Sequence, residues 1–275
     1  MSGTKKTYFA SDFHLGVDAR LSSRERERQI VRWLDAIQAD AEALYLVGDV
    51  FDFWFEYLRV VPKGHVRLLG KLAELRDRGI PVYFFTGNHD MWVFDYFEEE
   101  LDIPVIRQPL QTEIHGKRFF IGHGDGLGPG DYGYKLLKKV LSNRFCQWCF
   151  ERLHPNLGIL LMRFFSGKSR EAHPSEPRFL GPEGEWLIRY CHLKLEELPE
   201  APDFFVFGHR HLPIDYPLDN GRSRYINLGD WMQHNSYAVF DGQNLELRFF
   251  ENPAGRVFGM PTPETSSRSP LIPQP

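Results

Sequence analysis

Apolar and polar positions along the chain fall into two rhythms. The first is a series of short, nearly continuous apolar runs: "TYFASD", "ALYLVGD", "VYFFTGNHD", "RFFIGHGD" and "DFFVFGHRH". Each ends in polar residues, most of them beside a glycine. Runs of this length predict strands buried on both faces. "YINLGDW", "SYAVFDG" and "LELRFFE" continue the series, and the last two flank "DGQN", a hairpin-type turn. The second rhythm is helical. In "RERERQIVRWLDAIQ", Ile30, Leu34 and Ile37 share a face, and Ser22-Ser23 offers an N-cap. In "HVRLLGKLAELRDRG", the spacing predicts an apolar stripe of Val66, Leu69, Ala73 and Leu75/Arg76, with Gly79 as the stop. Strand alternating with helix predicts an α/β core.

Residues 127–182 break this alternation. "GYKLLKKVLSNRFCQWCFERLHPNLGILLMRFFSGKSR" is helical in pattern, basic and rich in large apolar residues, and it separates "FIGHGD" from "FFVFGHRH". The expectation is a helical cap over 127–182 inserted into a core formed by 1–126 and 183–258. "HPSEPRFLGPEG" closes the insertion, and "EWLIRYCHLKLEEL" returns the chain to the core as a helix. The Pro/Ser-rich stretch 259–275 reads as a disordered tail.

Composition narrows the classes. A chain of 275 residues, 42% hydrophobic, can bury a sizeable core. A formal net charge of −4 argues against general nucleic-acid binding, so no nucleic-acid partner is expected. An anionic substrate would then need a local basic patch or metal ions. Three cysteines, Cys146, Cys149 and Cys191, fit a reducing compartment better than a disulfide framework. Cys146-Gln-Trp-Cys149 has the spacing of half a zinc site but no second pair, so packing in the core or cap is the expectation. No apolar run approaches the ~20 residues of a membrane span. The expectation is a cytoplasmic protein, with peripheral contact at the cytoplasmic face of the inner membrane compatible with the sequence.

The candidate chemistry lies at the strand ends: Asp12-x-His14, Gly48-Asp49, Gly87-Asn88-His89-Asp90, Gly122-His123-Gly124-Asp125 and Gly208-His209-Arg210-His211. In open α/β sheets ligands gather where strands end, so separate strands can aim these groups at one point. If the segments stay extended, Asp12 with His14, and His209 with His211, face the same way. Carboxylates, an amide and imidazoles without thiolates suit borderline divalent metals such as manganese, iron or zinc. The donors Asp12, His14, Asp49, Asn88, His123, His209 and His211 are too many for one ion. They suit two ions sharing a carboxylate, a pair able to bind a phosphate and activate a water. Asp90 either orients His89 or caps a helix in "MWVFDYFEEEL", and Asp125 has a supporting role.

The ordered set "D-x-H … G-D … G-N-H-D … G-H … G-H-x-H" resembles the calcineurin-like metallophosphoesterases over about residues 7–250. "SDFHLG", "GDVFDFWFEY", "HGDGLGPGDYGYK" and "FGHRHLP" are similar to the UDP-2,3-diacylglucosamine hydrolase branch of that family. The resemblance implies a four-layer αββα sandwich with a helical cap that holds acyl chains. It implies two divalent ions, manganese first and iron or zinc as alternatives. One would be held by Asp12, His14, Asp49 and His211, the other by Asp49, Asn88, His123 and His209. It implies hydrolysis of a UDP-linked diacylated glucosamine to the sugar 1-phosphate and UMP, with His89, Asn88 and His209 steadying the transition state. Asp131 and Tyr134 carry over as substrate contacts, and "SGKSR" supplies Ser166, Lys168 and Arg170. The aromatic stripe Phe145, Trp148, Phe150, Phe164 and Phe165, edged by Lys135, Lys138, Lys139 and Arg144, then reads as part core packing and part acyl chamber. The best-known members of the branch carry "G-N-R-D" where this chain has "G-N-H-D". Histidine there is usual in the wider family, so the alternative is a phosphoesterase for another phosphodiester, nucleotide or phosphoprotein.

Overall fold

The structure, a computed structural model, describes residues 5–130, 132–162 and 178–260. Two sheets face each other. In the first, β1 (Lys6–Ala10), β2 (Ala41–Val47), β3 (Val82–Phe85) and β4 (Val105–Ile106) run parallel. The hairpin of β10 (Ser236–Phe240) and β11 (Leu245–Phe249) joins β1 antiparallel, giving the order β11-β10-β1-β2-β3-β4. In the second, β6 (Lys117–Gly122), β7 (Phe204–Phe207) and β9 (Arg224–Leu228) run parallel. The antiparallel edges are β5 (Leu110–Ile114) and β8 (Pro213–Pro217), in the order β5-β6-β7-β9-β8.

Alternation along the strands sorts the side chains into layers. Phe9, Tyr45, Val47 and Phe85 meet Phe119, Ile121, Val206 and Ile226 between the sheets. The Phe9 ring stacks on Tyr45 and Phe119, with centroids 5.0 and 5.6 Å away. On the outer face of the first sheet, Tyr8, Leu44, Leu46 and Phe84 pack with α1 (Ser23–Ile37), α2 (Val66–Asp77) and α3 (Tyr96–Leu101). On the outer face of the second, Phe120, Phe205 and Phe207 pack with Leu187, Ile188 and Cys191. These last three belong to the helix Trp186–Glu197, called α6 below because α4 (Tyr132–Leu141) and α5 (Arg144–Glu151) precede it. The result is the four-layer αββα sandwich.

Helix α1 begins where expected. The Ser22 hydroxyl accepts from the Glu25 N–H, and the Glu25 carboxylate accepts from the Ser22 N–H, a reciprocal cap. The stripe read for α2 is displaced by one position. Leu68, Leu72 and Leu75 form its buried face, with Leu69 and Ala73 at the edge, whereas Val66 in the first turn is exposed. Both stripes have helical period, and only the direction of the sheet selects one. Helix α3 starts at Tyr96, later than the apolar pattern suggested, because Val93 and Trp92 are held in the preceding loop, where Trp92 bridges to Phe55. The short or edge strands β4, β5 and β8 were not anticipated. β5 alternates half-buried with exposed residues, and β8 is bounded by Pro213 and Pro217, which an edge tolerates.

Between β6 and α6 lie α4, α5 and a helical stretch over 155–162. They seat on the core through Phe53, Phe55 and Trp92, against Leu141, Phe150, Ile159 and Met162. The Trp92 indole N–H donates to the Leu141 carbonyl at 2.9 Å. Phe150 packs here, but Phe145 and Trp148 lie largely open to solvent, and Cys149 is exposed rather than packed. Phe164 and Phe165 lie outside the described residues.

Phe9→Ala should lower unfolding stability by about 3–5 kcal/mol, because it opens a cavity between two sheets that cannot close on it. Leu136→Ala, at a position 65% exposed, should stay within about 0.5 kcal/mol. Urea denaturation of the two variants checks both values.

Candidate metal centre

The parallel strands of both sheets deliver their carboxyl ends to one place. β1 leads to Asp12 and His14, β2 to Asp49, and β3 to Asn88 and His89, while β6 leads to His123 and β7 to His209 and His211. Backbone bonds stitch these ends together: Asp12 N–H to the Gly48 carbonyl (3.0 Å), His14 N–H to the Asp49 carbonyl (3.0 Å) and Gly208 N–H to the His123 carbonyl (2.9 Å).

The residues do not stay extended, as the reading of paired ligands assumed. Asp12, His14, Asp49, His209 and His211 all have left-handed backbones, with φ between 44° and 65°. Each such residue is strained relative to ordinary strand or helix. The left-handed turns, rather than strand alternation, make Asp12 and His14 converge while Phe13 between them is fully buried in the outer core. Glycines make room for this. A Cβ on Gly48 would lie 2.5 Å from Nδ1 of His123, and one on Gly87 would lie 2.2 Å from Oδ1 of Asp49.

Asp12 and Asp49 each divide their two carboxylate oxygens. Oδ2 of Asp12 accepts from the Ser11 hydroxyl (2.5 Å) and the His209 N–H (3.0 Å), which leaves Oδ1 facing inward, 3.4 Å from Nε2 of His211. Oδ1 of Asp49 accepts from the His89 N–H at 2.9 Å, which leaves Oδ2 3.2 Å from Nε2 of His123 and 3.7 Å from Nε2 of His14. Oδ1 of Asn88 lies 3.3 Å from Nε2 of His123.

The imidazoles are held from behind. Nδ1 of His123 faces the Val47 carbonyl at 2.9 Å, and Nδ1 of His211 faces Oδ2 of Asp230 at 3.3 Å. Asp52 supports two rings: its Oδ1 is 3.5 Å from Nδ1 of His14, and its carbonyl is 2.9 Å from Nδ1 of His89. Carbonyls and carboxylates behind the rings set their orientation and tautomer. Asp52 and Asp230 were missed in the sequence, although "GDVFD" and "LGDW" display them at strand ends. Asp90 neither orients His89 nor caps α3. Its buried carboxylate accepts from the Gly87 N–H (2.7 Å), the Val50 N–H (2.8 Å), and the Asp49 and Phe51 N–H groups (both 3.3 Å), tying the second and third loops together. Burial, together with the charge of Asp49, raises its pKa to about 7.

Electrostatics follow from this crowding. Burial lowers the pKa of His14, but hydrogen bonding to Asp12 and Asp52 and the charge of Asp49 outweigh it and carry the value up to about 10. His123 is likewise raised, burial being overcome by Asp49. Burial and then the charge of His123 bring His209 down to about 4. Burial also lowers His89.

Do these residues fit a cation? Among the described residues, Oδ1 of Asp12, Oδ2 of Asp49 and Nε2 of His14 are buried without a hydrogen-bond partner. Buried polar atoms are seldom left so, and here the imidazole nitrogen lies 3.7 Å from each of the two oxygens. Asp12, His14, Asp49 and His211 place ligand atoms within 4.8 Å of one another, as do Asp49, His123 and His209, so the cluster can hold metal. His14, Asp52 and His89 make a third such group.

Tyr134 lies at the margin. Its hydroxyl donates to Oδ2 of Asp125 at 2.6 Å, as does Nζ of Lys138 at 2.6 Å, so Asp125 tethers α4 two residues beyond His123. Asp131, Ser166, Lys168 and Arg170 lie outside the described residues.

A sandwich whose strand ends gather aspartates, histidines and an asparagine around orphaned oxygens defines a metal-dependent phosphoesterase. The family model for calcineurin-like phosphoesterases matches residues 5–213, and the chain belongs to that family. It is 39% identical over 259 residues to a UDP-2,3-diacylglucosamine hydrolase of Porphyromonas gingivalis, covering 90% of this chain and 98% of that one. A protein of the same name from Aeromonas salmonicida is 28% identical over 264 residues, covering 90% and 96%. Among solved structures, Yfce, a phosphoesterase from E. coli, aligns with a TM-score of 0.47 at 18% identity, over 90% of this chain and 94% of that one.

Because neighbouring carboxylates raise His14 and His123, protons must leave before a cation binds. Mn²⁺ affinity should therefore increase from pH 6 to pH 8, with proton release on binding. Calorimetric titration in buffers of different ionisation enthalpy measures both.

Proposed function

We propose that the protein hydrolyses the pyrophosphate bond of UDP-2,3-diacylglucosamine to 2,3-diacylglucosamine 1-phosphate (lipid X) and UMP, a step of lipid A biosynthesis; its relatives are named as hydrolases of that substrate. The observation that carries the reading is the 39% identity, over nearly the whole of both chains, to a protein of that name. Two divalent cations fit best, because Asp49 belongs to two of the ligand groups and can bridge them. Manganese is the first choice for this donor set, with iron or zinc also suited.

Bound there, the cations would polarise phosphate oxygens and lower the pKa of a water. The chain's own residues would do the rest. Asp12, Asp49, His14 and His211 would bind on one side and Asn88, His123 and His209 on the other. Their supporting contacts with Ser11, Val47, Asp52 and Asp230 hold the donor atoms in register. Asn88 and His209 would also orient the phosphate. His89 is more open than the buried aspartates, with its Nδ1 against the Asp52 carbonyl, which leaves Nε2 for the substrate. A phosphate anion favours the protonated ring against the effect of burial. The ring would then give its proton to the oxygen released as the phosphorus–oxygen bond breaks.

Residues 127–182 would act as a cap over this centre, with Asp131, Tyr134, Ser166, Lys168 and Arg170 contacting substrate. The cap also suits a peripheral site on the inner membrane. Leu136, Leu137, Phe145 and Trp148 are exposed beside Lys135, Lys139 and Arg144, an apolar and basic face of the kind that rests in a lipid headgroup layer. Among the described residues, no helix is long and apolar enough to cross a membrane.

With Mn²⁺, the wild-type protein should turn over UDP-2,3-diacylglucosamine. Asp49→Ala should lose nearly all activity, and His89→Ala should lose at least about 100-fold in kcat. Equal rates in all three proteins would sink the mechanism. Faster turnover of simple nucleotides than of the lipid would move the substrate elsewhere.

The membrane proposal has its own check. Phe145→Glu with Trp148→Glu should reduce co-sedimentation with anionic phosphatidylglycerol vesicles, while zwitterionic vesicles bind the wild type weakly. Unchanged sedimentation would refute the membrane-resting face.

A further inference from the structure

The run Arg24-Glu25-Arg26-Glu27-Arg28 has the pattern of a solvated helix face. Arg26 departs from it, because none of its surface reaches solvent. It lies in the first turn of α1, next to Glu25 of the reciprocal cap, and shares the buried face with Ile30 and Trp33. Its side-chain hydrogen bonds among the described residues all run to main-chain carbonyls of the segment after β1. Nε donates to the Phe13 carbonyl (2.8 Å), Nη2 to those of His14 and Val17 (2.6 Å each), and Nη1 to that of Leu21 (3.2 Å). Burying a guanidinium is costly, so bonds of this number call for a reason.

What they restrain is the backbone of His14. Its torsions are set by two rigid peptide planes, one joining Phe13 to His14 and the other joining His14 to Leu15. Both planes are held at both ends. Their N–H groups donate to the loop after β2, His14 to the Asp49 carbonyl and Leu15 to the Val50 carbonyl, at 3.0 Å each. Their carbonyls, those of Phe13 and His14, accept from Arg26. A planar fork can hold two successive carbonyls at once, which a single ammonium cannot do in the same geometry. The conformation so held is left-handed, φ 44°, one that local preference opposes. It also places Nε2 of His14 3.7 Å from Oδ1 of Asp12 and 3.7 Å from Oδ2 of Asp49. Asp52 steers the ring from behind Nδ1, and Arg26 steers the backbone from which the ring hangs.

We propose that Arg26 is a positioning residue of the metal centre: it holds the left-handed turn at His14 and so sets how tightly Asp12, His14, Asp49 and His211 bind a divalent cation. A guanidinium has no lone pair to offer a metal, and its bonds go to carbonyls rather than to ligand atoms, so it acts through His14. Without it, two buried carbonyls lose their donor, the turn relaxes toward ordinary backbone, and the imidazole leaves the two carboxylates. The proposal rests on the metal centre and not on the choice of substrate. Its rival is a purely structural strap between α1 and the segment 13–21, which would cost stability and leave metal affinity intact.

Calorimetric titration of the full chain with Mn²⁺, alongside thermal melts, separates the two. Arg26→Lys and Arg26→Gln should each weaken Mn²⁺ binding by about 10-fold. Leu75→Ala, a cavity in the buried face of α2, should melt earlier than the wild type yet keep its Mn²⁺ affinity. In a His14→Ala background, Arg26→Lys should lower the affinity no further, because the ring it positions is gone. Wild-type affinity in both Arg26 variants overturns the proposal, and so does an equal loss with and without the His14 ring. Should neither Arg26 variant fold, the guanidinium serves the fold and the proposal falls. A wild type that binds neither Mn²⁺ nor Zn²⁺ sinks the metal centre itself and this inference with it. The titration contains no lipid, so an error in the substrate would not alter its result.

Discussion

The divided carboxylate of Asp49 governs the centre. One oxygen accepts the His89 N–H and so ties the second strand end to the third. The other lies among His14, His123 and the orphaned oxygen of Asp12, where a cation can satisfy it. A carboxylate in water would be solvated on both oxygens. Here the protein has spent one on structure and withheld the other from solvent, so the charge of Asp49 draws protons onto His14 and His123, which a metal ion would displace. The raised Asp90 and the raised histidines are consequences of that arrangement.

Holding it requires rigidity from both sheets. The ring-stacked layer between the sheets fixes how their strand ends face each other, and short backbone bonds link the loops across the gap. The buried Asp90 carboxylate binds four N–H groups of two loops. At the fifth loop, Arg210 sits between the two histidines of its motif and is paired with the fully buried Glu185 at the start of α6. The left-handed ligand residues are sustained by these bonds, since none of the five is a glycine. This is why the centre can be strained locally and still be well defined.

The helices over 132–162 belong to a different regime. They rest on a modest aromatic contact at Phe53, Phe55, Trp92 and Phe150, and on the tether of Tyr134 and Lys138 to Asp125. No residue of α4 or α5 is buried. Its attachment is therefore looser than the packing within and between the sheets beneath it.

Much of the site was legible in the chain because its chemistry is written in residue types that strands seldom end with. Asp12, His14, Asp49, Asn88, His123, His209 and His211 stand out as polar breaks after apolar runs, and the structure brings them together at one place, as a donor set suited to a divalent cation. The central parallel strands were equally plain, since both faces are buried and their sequences are continuously apolar. What needed the tertiary structure were the features set by a partner. The buried face of α2 passes through Leu68 and Leu72 because the sheet lies on that side, and the one-dimensional period serves either stripe. The edge strands β5 and β8 are half solvated and carry polar residues or prolines, so their pattern is faint. Asp52, Asp90 and Asp230 look like any loop aspartate until a histidine ring or a row of N–H groups is brought against them. The left-handed turns that aim the ligands are decided the same way: local preference opposes them, and only contacts between distant loops make them the lowest-energy choice.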